Sequence, residues 1–165
     1  MILMGFLSSL DIGTSALSAQ RLRMDVISQN IANQGTYNTS PGGDPYARQL
    51  VVFSEKKQFS DILNKYQEQD KSTHSRGVYY SKYSNKYRDA GVAVTAVIED
   101  ESPFIPVYDP DNPVADENGY IYQSNVDNTE EQIDMLAAQR SYEANATAIE
   151  AMKAMLSKAM QLNGK

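Results

Sequence analysis

Residues 129–165 read TEEQIDMLAAQRSYEANATAIEAMKAMLSKAMQLNGK, and the spacing within them decides the fold. Met135, Ala138, Tyr142, Asn145, Ile149, Met152, Leu156 and Ala159 alternate steps of three and four. They fill eight consecutive a/d positions of a heptad pattern, with Asn145 the only strongly polar one. Thr129-Glu130-Glu131-Gln132 fits a capping box, Gln132 standing three residues after a hydroxyl cap. Glu130, Glu131 and Asp134 complement the positive end of the helix dipole, and Lys158 and Lys165 suit the other end. The spacing predicts one helix of about 33 residues, roughly 50 Å long. A compact domain of this size does not easily enclose such a rod.

The other end of the chain carries a second heptad pattern. Leu10, Leu17, Met24 and Ile31 recur every seven residues, with Phe6 and Ile27 on the same stripe. Gly13 and Gln20 are faults in that seam. Asn33-Gln34-Gly35 offers a stop, glycine being able to take the left-handed cap conformation. A helix from about Phe6 to Ala32 would run roughly 40 Å. One such helix would be read as packing on an ordinary core; two, at opposite chain ends, favour an N/C pair. Each also carries a second apolar row: Ile12, Ala16, Ala19 and Val26 on the first, Ala137, Ala144, Ala148 and Ala151 on the last. Two apolar faces imply more than one neighbour, and hence assembly.

Between the helices the composition changes. All six prolines lie between Pro41 and Pro113, and all seven methionines lie outside that span. This divides the chain into an N-terminal helix (1–34), a β-rich and loop-rich middle (35–127) and a C-terminal helix (128–165). The expected fold class is α+β, the terminal helices paired as an antiparallel coiled coil beside a small β-rich domain. Leu50-Val51-Val52-Phe53 and Val92 to Ile98 read as strands. Phe59, Ile62, Leu63 and Tyr66 suggest a short helix, and 67–88 an exposed loop or loose hairpin. Pro103, Pro106, Pro110 and Pro113 force an extended path, and Asn118-Gly119 reads as a tight turn before Tyr120-Ile121-Tyr122.

Much chemistry is already excluded. The 165 residues carry a formal net charge of −6, unsuited to a dedicated nucleic-acid binder. Cysteine is absent and histidine occurs once, which removes thiol catalysis, disulfides and any site needing two imidazoles. No apolar stretch approaches the roughly 20 residues of a membrane span. The N-terminal apolar run lacks a basic n-region and is interrupted by Asp11, so it reads as mature protein rather than signal peptide. Asp109, Asp111, Asp116, Glu117 and Asn118 form the densest oxygen cluster. An EF-hand register started at Asp109 fails, with Val114 at its sixth position and Tyr120 at its twelfth. Glu99-Asp100-Glu101 reads as a solvated rim and His74 as a loop histidine. Residues 71–88 hold Lys71, Arg76, Lys82, Lys86 and Arg88 among four tyrosines with no acid, a polar hairpin or protein-contact loop. No catalytic, cofactor or metal site is expected.

Three blocks carry a family resemblance. Ser15 to Asn33, ending in Asn30-Ile31-Ala32-Asn33, is similar to the start of bacterial flagellar rod and hook proteins, the axial family. Glu99 to Phe104, Tyr108 to Pro113 and Ala115 to Tyr120 narrow the resemblance to the basal-body rod proteins of that family. Asp134 to Asn145 resembles their C-terminal helix. Ser124 and Asn112 depart from the pattern, where proline and histidine are expected. The resemblance implies a structural subunit of the proximal rod, the drive shaft that passes torque from motor to hook. It implies export by the flagellar type III apparatus without a cleaved signal, and localisation in the basal body. Partners would be other copies, other rod proteins and the export apparatus, with no nucleic acid and no enzyme activity. The expected assembly interface comprises Leu10, Leu17, Met24, Asn30, Ile31, Asn33, Met135, Tyr142, Asn145, Ile149, Met152 and Leu156, with Asn145 fixing register. A soluble coiled-coil adaptor or secreted interaction protein is the alternative. Since a lone helix pair is marginal, both ends are expected to be largely disordered in the monomer and to order during polymerisation.

Overall fold

The computed structural model describes residues 2–40, 43–56 and 91–163. The helix expected over 59–66, His74 and the basic, tyrosine-rich stretch 71–88 lie outside the described residues. The elements run α1 (Ile2–Asn33), β1 (Gln49–Glu55), β2 (Val92–Glu99), β3 (Ile105–Tyr108), β4 (Tyr120–Gln123) and α2 (Asn128–Asn163). The chain is α+β: helices of 32 and 36 residues at its ends and two small sheets, β1–β2 and β3–β4, between them. No helix among the described residues is long and apolar enough to cross a membrane.

Both predicted helix caps move. Asp127, not Thr129, caps α2: its Oδ1 accepts from Thr129 N at 2.7 Å and from Glu130 N at 3.4 Å. A carboxylate at the positive end of the dipole outcompetes a hydroxyl two residues later. At the end of α1, Gly35 does not take the left-handed conformation, which among the described glycines belongs to Gly119 at φ 81°. The stop is supplied by Thr36, whose N and Oγ1 donate to Asn33 O at 3.1 and 2.8 Å.

The chain divides into two compact units. The first comprises Met1–Leu17, Ser54–Ala93 and Asn145–Lys165. Within it, a methyl group built on Gly13 would stand 2.8 Å from Ile149 Cγ1 and 3.7 Å from Met152 Cε. Ile149 therefore rests on the Gly13 backbone, and the fault in the heptad is a place where α2 packs close against α1. Ser15 Oγ accepts from Val92 N at 3.1 Å while donating to Ile12 O at 2.7 Å, fixing the start of β2 to α1.

The second unit comprises Ser18–Phe53 and Val94–Ala144. Its apolar core is thin: Ala19, Val26, Ile27, Ile121, Val126 and Ala138 are buried. β3 and β4 are antiparallel, pairing Ile105 with Gln123 and Tyr108 with Tyr120. The proline run thus contains a strand, and Pro106 sits on β3 at the edge of its sheet, where a missing N–H is tolerated. Asp116 Oδ1 closes the preceding turn by accepting from Asn118 N and Tyr120 N, both at 2.8 Å. Buried Asn38 binds β4 on its other side, accepting from Tyr122 N at 3.1 Å and donating to Ser40 O and Val114 O.

The two helices divide their faces differently. On α2 the positions Met135, Ala138, Tyr142, Asn145, Ile149, Met152 and Leu156 are buried or half-buried, whereas Ala159 and the row Ala137, Ala144, Ala148 and Ala151 are exposed. On α1, Ala19 and Val26 of the second row are buried, together with Ile27 and Asn30, while Leu10, Leu17, Met24 and Ile31 are only half-buried. The reason lies in the second unit, where α1 meets two elements. Arg23 and Asn30 reach α2, and Asn30 also bonds β1, so the buried side is centred between them.

Candidate functional site

The densest set of polar interactions among the described residues lies in the second unit, around Glu131 in the first turn of α2. Glu131 is 1% exposed, as is Asn30 on α1. Arg48 Nε donates to Glu131 Oε1 at 2.7 Å, and Asn30 Nδ2 to Glu131 Oε2 at 3.0 Å. Asn30 Nδ2 also donates to Gln49 O at 2.9 Å, and its Oδ1 accepts from Tyr46 OH at 2.9 Å and Gln49 N at 3.0 Å. The amide is saturated, with two donated and two accepted bonds. Arg48 further faces Glu130 at 3.2 Å, Asp100 at 3.6 Å and Asp134 at 3.7 Å, and Arg23 bonds Asp134 at 3.1 Å.

The electrostatics follow this geometry. Burial pushes the Arg48 guanidinium down, but the hydrogen bond and charge of Glu131, then those of Glu130, outweigh it and its pKa is raised. Burial raises the Tyr46 phenol, and the charges of Glu131 and Glu99 add to that. Hydrogen bonds from the Ser102 hydroxyl and N–H hold the Asp100 carboxyl low, with Arg48 helping against partial burial. Asp100 is thus drawn inward rather than lying on a purely solvated rim. A cleft of about 270 Å³ beside the network, lined by Arg23, Ile27, Leu50, Phe53 and Asp134, is at the small end for a ligand pocket. The four carboxylates face arginines and Asn30 has no free valence, so the cluster braces three elements, α1, β1 and α2.

Of the residues expected at the assembly interface, Asn30 is the hub of this network, and Ile149 and Met152 pack at Gly13. Leu10, Leu17, Met24, Ile31, Met135, Tyr142 and Leu156 are half-buried. Asn33 Nδ2 donates to Gln29 O at 2.8 Å, within its own helix. Asn145 is half-buried, and no hydrogen bond joins its side chain to a described residue. Sequence reasoning missed Arg48, Glu131, Tyr46, Asn38 and Asn125. Asn125 accepts from Arg48 N at 2.8 Å and donates to Ser102 O at 2.9 Å. One signal was present: Asp89 to Gln139 contains no lysine or arginine, and Arg48 is the one base between Arg23 and Lys56. A buried acid at the start of α2 had few possible partners.

Comparison with known proteins agrees with these elements. Residues 10–39 match the family model "Flagella basal body rod protein", and 117–162 match "Flagellar basal body rod FlgEFG protein C-terminal". The chain is 40% identical over 159 residues to flagellar basal-body rod protein FlgC of Bacillus subtilis, covering 93% of this chain and 95% of that one. It is 37% identical over 163 residues to FlgC of Borreliella burgdorferi, covering 96% and 98%. FlgC of Salmonella typhimurium is 35% identical over 159 residues, with the same coverage. With such likeness over nearly its whole length, the chain belongs to the FlgC family of flagellar basal-body rod proteins.

Proposed function

We propose that this chain is a structural subunit of the flagellar basal-body rod, and that it polymerises through its terminal helices. The observation that carries the rod role is the near-full-length likeness to FlgC proteins, which supports it and not the adaptor alternative. For the helices, support comes from their two-sided character. Within the second unit, the contacts Arg23–Asp134 and Asn30–Glu131 follow an antiparallel order along α1 and α2. An antiparallel coiled-coil pair within the subunit fits that order. The outer side of α2 remains apolar: Ile133, Leu136 and Met155 are exposed, Met155 by 63%, along with the alanine row. In the rod these outer positions meet neighbouring subunits and other rod proteins, while Ile149 and Met152 hold the subunit together. Torque passes from motor to hook through the packed helices. The chain reaches the rod through the flagellar export apparatus without a cleaved signal.

The test is complementation of a strain lacking its own FlgC. Ile133→Asp and Met155→Asp alter exposed positions, so the purified subunit keeps its helix content while swimming and rod recovery are lost. Ile149→Asp should instead unfold the pairing inside the subunit. Normal rods from both outer-face variants would contradict assembly through the helices; normal swimming with no copy in purified basal bodies would contradict the rod role itself.

A further inference from the structure

The β3–β4 hairpin turns an aromatic face outward. Residues opposite one another in an antiparallel pair share a face, and faces alternate along a strand. Buried Ile121 therefore lies with Val107, and Tyr108 and Tyr120 lie with Pro106 and Tyr122 on the other side. On that other side Tyr108 is 66% exposed and Tyr120 40%, their rings edge-to-face with centroids 5.2 Å apart. At the hairpin's tip stand Asp109, Asp111, Asp116 and Glu117. Asp109 and Asp116 are half-buried and serve the turn, accepting from Asn112 Nδ2 and from Asn118 N and Tyr120 N. Asp111 and Glu117 are exposed, and no ion pair joins any of the four to a described residue.

The charge this surface lacks is concentrated elsewhere in the sequence. From Asp89 to Gln139 there are twelve acids and no base, and Arg23 and Arg48 meet four of them, Asp100, Glu130, Glu131 and Asp134. Residues 71–88 carry Lys71, Arg76, Lys82, Lys86 and Arg88, interleaved with Tyr79, Tyr80, Tyr83 and Tyr87 and no acid. We propose that the tyrosine face and acidic tip of the β3–β4 hairpin form a docking surface for the 71–88 segment of a second copy of this chain. Cationic side chains would lie over the faces of Tyr108 and Tyr120, Asp111 and Glu117 would pair them at the rim, and the segment's own tyrosines would pack against Pro106. The proposal rests on the rod reading, which brings a second copy alongside.

The chain has no cysteine, so disulfide trapping starts from a silent background. Lys82→Cys chains mixed with Asp111→Cys chains and mildly oxidised should give a mixed dimer at least about fivefold above a Lys82→Cys and Gln139→Cys control, and the excess should vanish in about 1 M salt, where charges are screened. Equal yields would overturn the proposal, as would a double Lys82→Cys/Asp111→Cys chain that closes within itself at high dilution. A synthetic 71–88 peptide titrated onto the full chain gives a second readout: Asp111→Asn/Glu117→Gln should weaken binding about fivefold or more, on the scale of a rim ion pair or two, and unchanged binding would count against the contact. Trapping that succeeds while the chain never enters a basal body would leave the contact standing and sink the rod reading instead.

Discussion

Asn30 Nδ2 donates to Glu131 Oε2 at 3.0 Å, and both side chains are 1% exposed. An amide and a carboxylate hidden this fully are costly unless every lone pair and proton finds a partner. Here Arg48 takes the other oxygen of Glu131, and Tyr46 and Gln49 complete Asn30. The bond is therefore a junction: α1, β1 and α2 all end on it within the second unit, whose apolar core is too thin to hold them alone.

Arg48→Met leaves Glu131 charged, buried and short of its main partner. It should cost about 3–5 kcal/mol, as breaking one side of a buried pair does. Arg48→Met/Glu131→Leu, which removes both charges, should recover most of that loss. Urea unfolding of the three proteins decides it; a double variant no better than the single one would show that the junction does not depend on charge pairing.

At Gly13 two effects oppose. Alanine is the better helix former by about 1 kcal/mol, but its methyl would stand 2.8 Å from Ile149 Cγ1, and overpacking costs about 1–3 kcal/mol. Gly13→Ala should therefore destabilise the native chain and stabilise the Ile149→Ala chain. The same sign in both backgrounds, in a double-mutant cycle, would mean that the two residues do not touch.

Ser124 is fully buried and its hydroxyl has no hydrogen-bond partner among the described residues, although its N–H donates to Thr36 O at 3.0 Å. Ser124→Ala keeps the backbone bond and removes the desolvated oxygen. A gain of about 1 kcal/mol is expected, seen as a rise in Tm of a few degrees. A fall in Tm would mean that the hydroxyl is satisfied in solution.

Two groups set pH limits. Asp100 has a lowered pKa through its Ser102 hydrogen bonds, so its contribution is complete above the unfolded value near 4 and is lost as pH falls through the folded value. Ser102→Ala should shrink that acid-side loss. Tyr46 has a raised pKa through burial and the charges of Glu131 and Glu99. Its contribution is complete below about pH 10 and lost as pH rises through the folded value. Tyr46→Phe should flatten the alkaline limb of stability against pH; an unchanged limb would contradict the part-buried hydrogen bond to Asn30.

The helices and strands were legible because their signals are periodic. The step pattern of α2 shows in the exposure of Met135 to Leu156, and Val92 to Ile98 falls within β2. Gly13 was legible as an anomaly but not as a contact, because a missing side chain gives no direction until its partner Ile149 is placed. The second apolar row of α1 was legible as a row, but the heptad spacing gave no sign that Ala19 and Val26 would be buried more deeply than Leu10, Leu17, Met24 and Ile31. The Arg48–Glu131–Asn30 network joins residues 83 and 101 positions apart. Nothing local in Glu131, one acid among three in the first residues of α2, marks it as the one turned inward.

The most direct test of the central claim is amide hydrogen exchange on the purified subunit and on assembled rods, read peptide by peptide. If the polymer completes what the subunit leaves unfinished, residues 18–33 and 128–144, held by the Asn30–Glu131–Arg48 junction, are protected in the free subunit. The outer ends, 2–12 and 150–163, where Leu7, Met155 and Leu162 are exposed, should exchange fast in the free subunit and slowly in the rod. Uniform, strong protection of both helices in the free subunit, unchanged in the rod, would mean a finished bundle and would contradict assembly-coupled ordering of the helix ends.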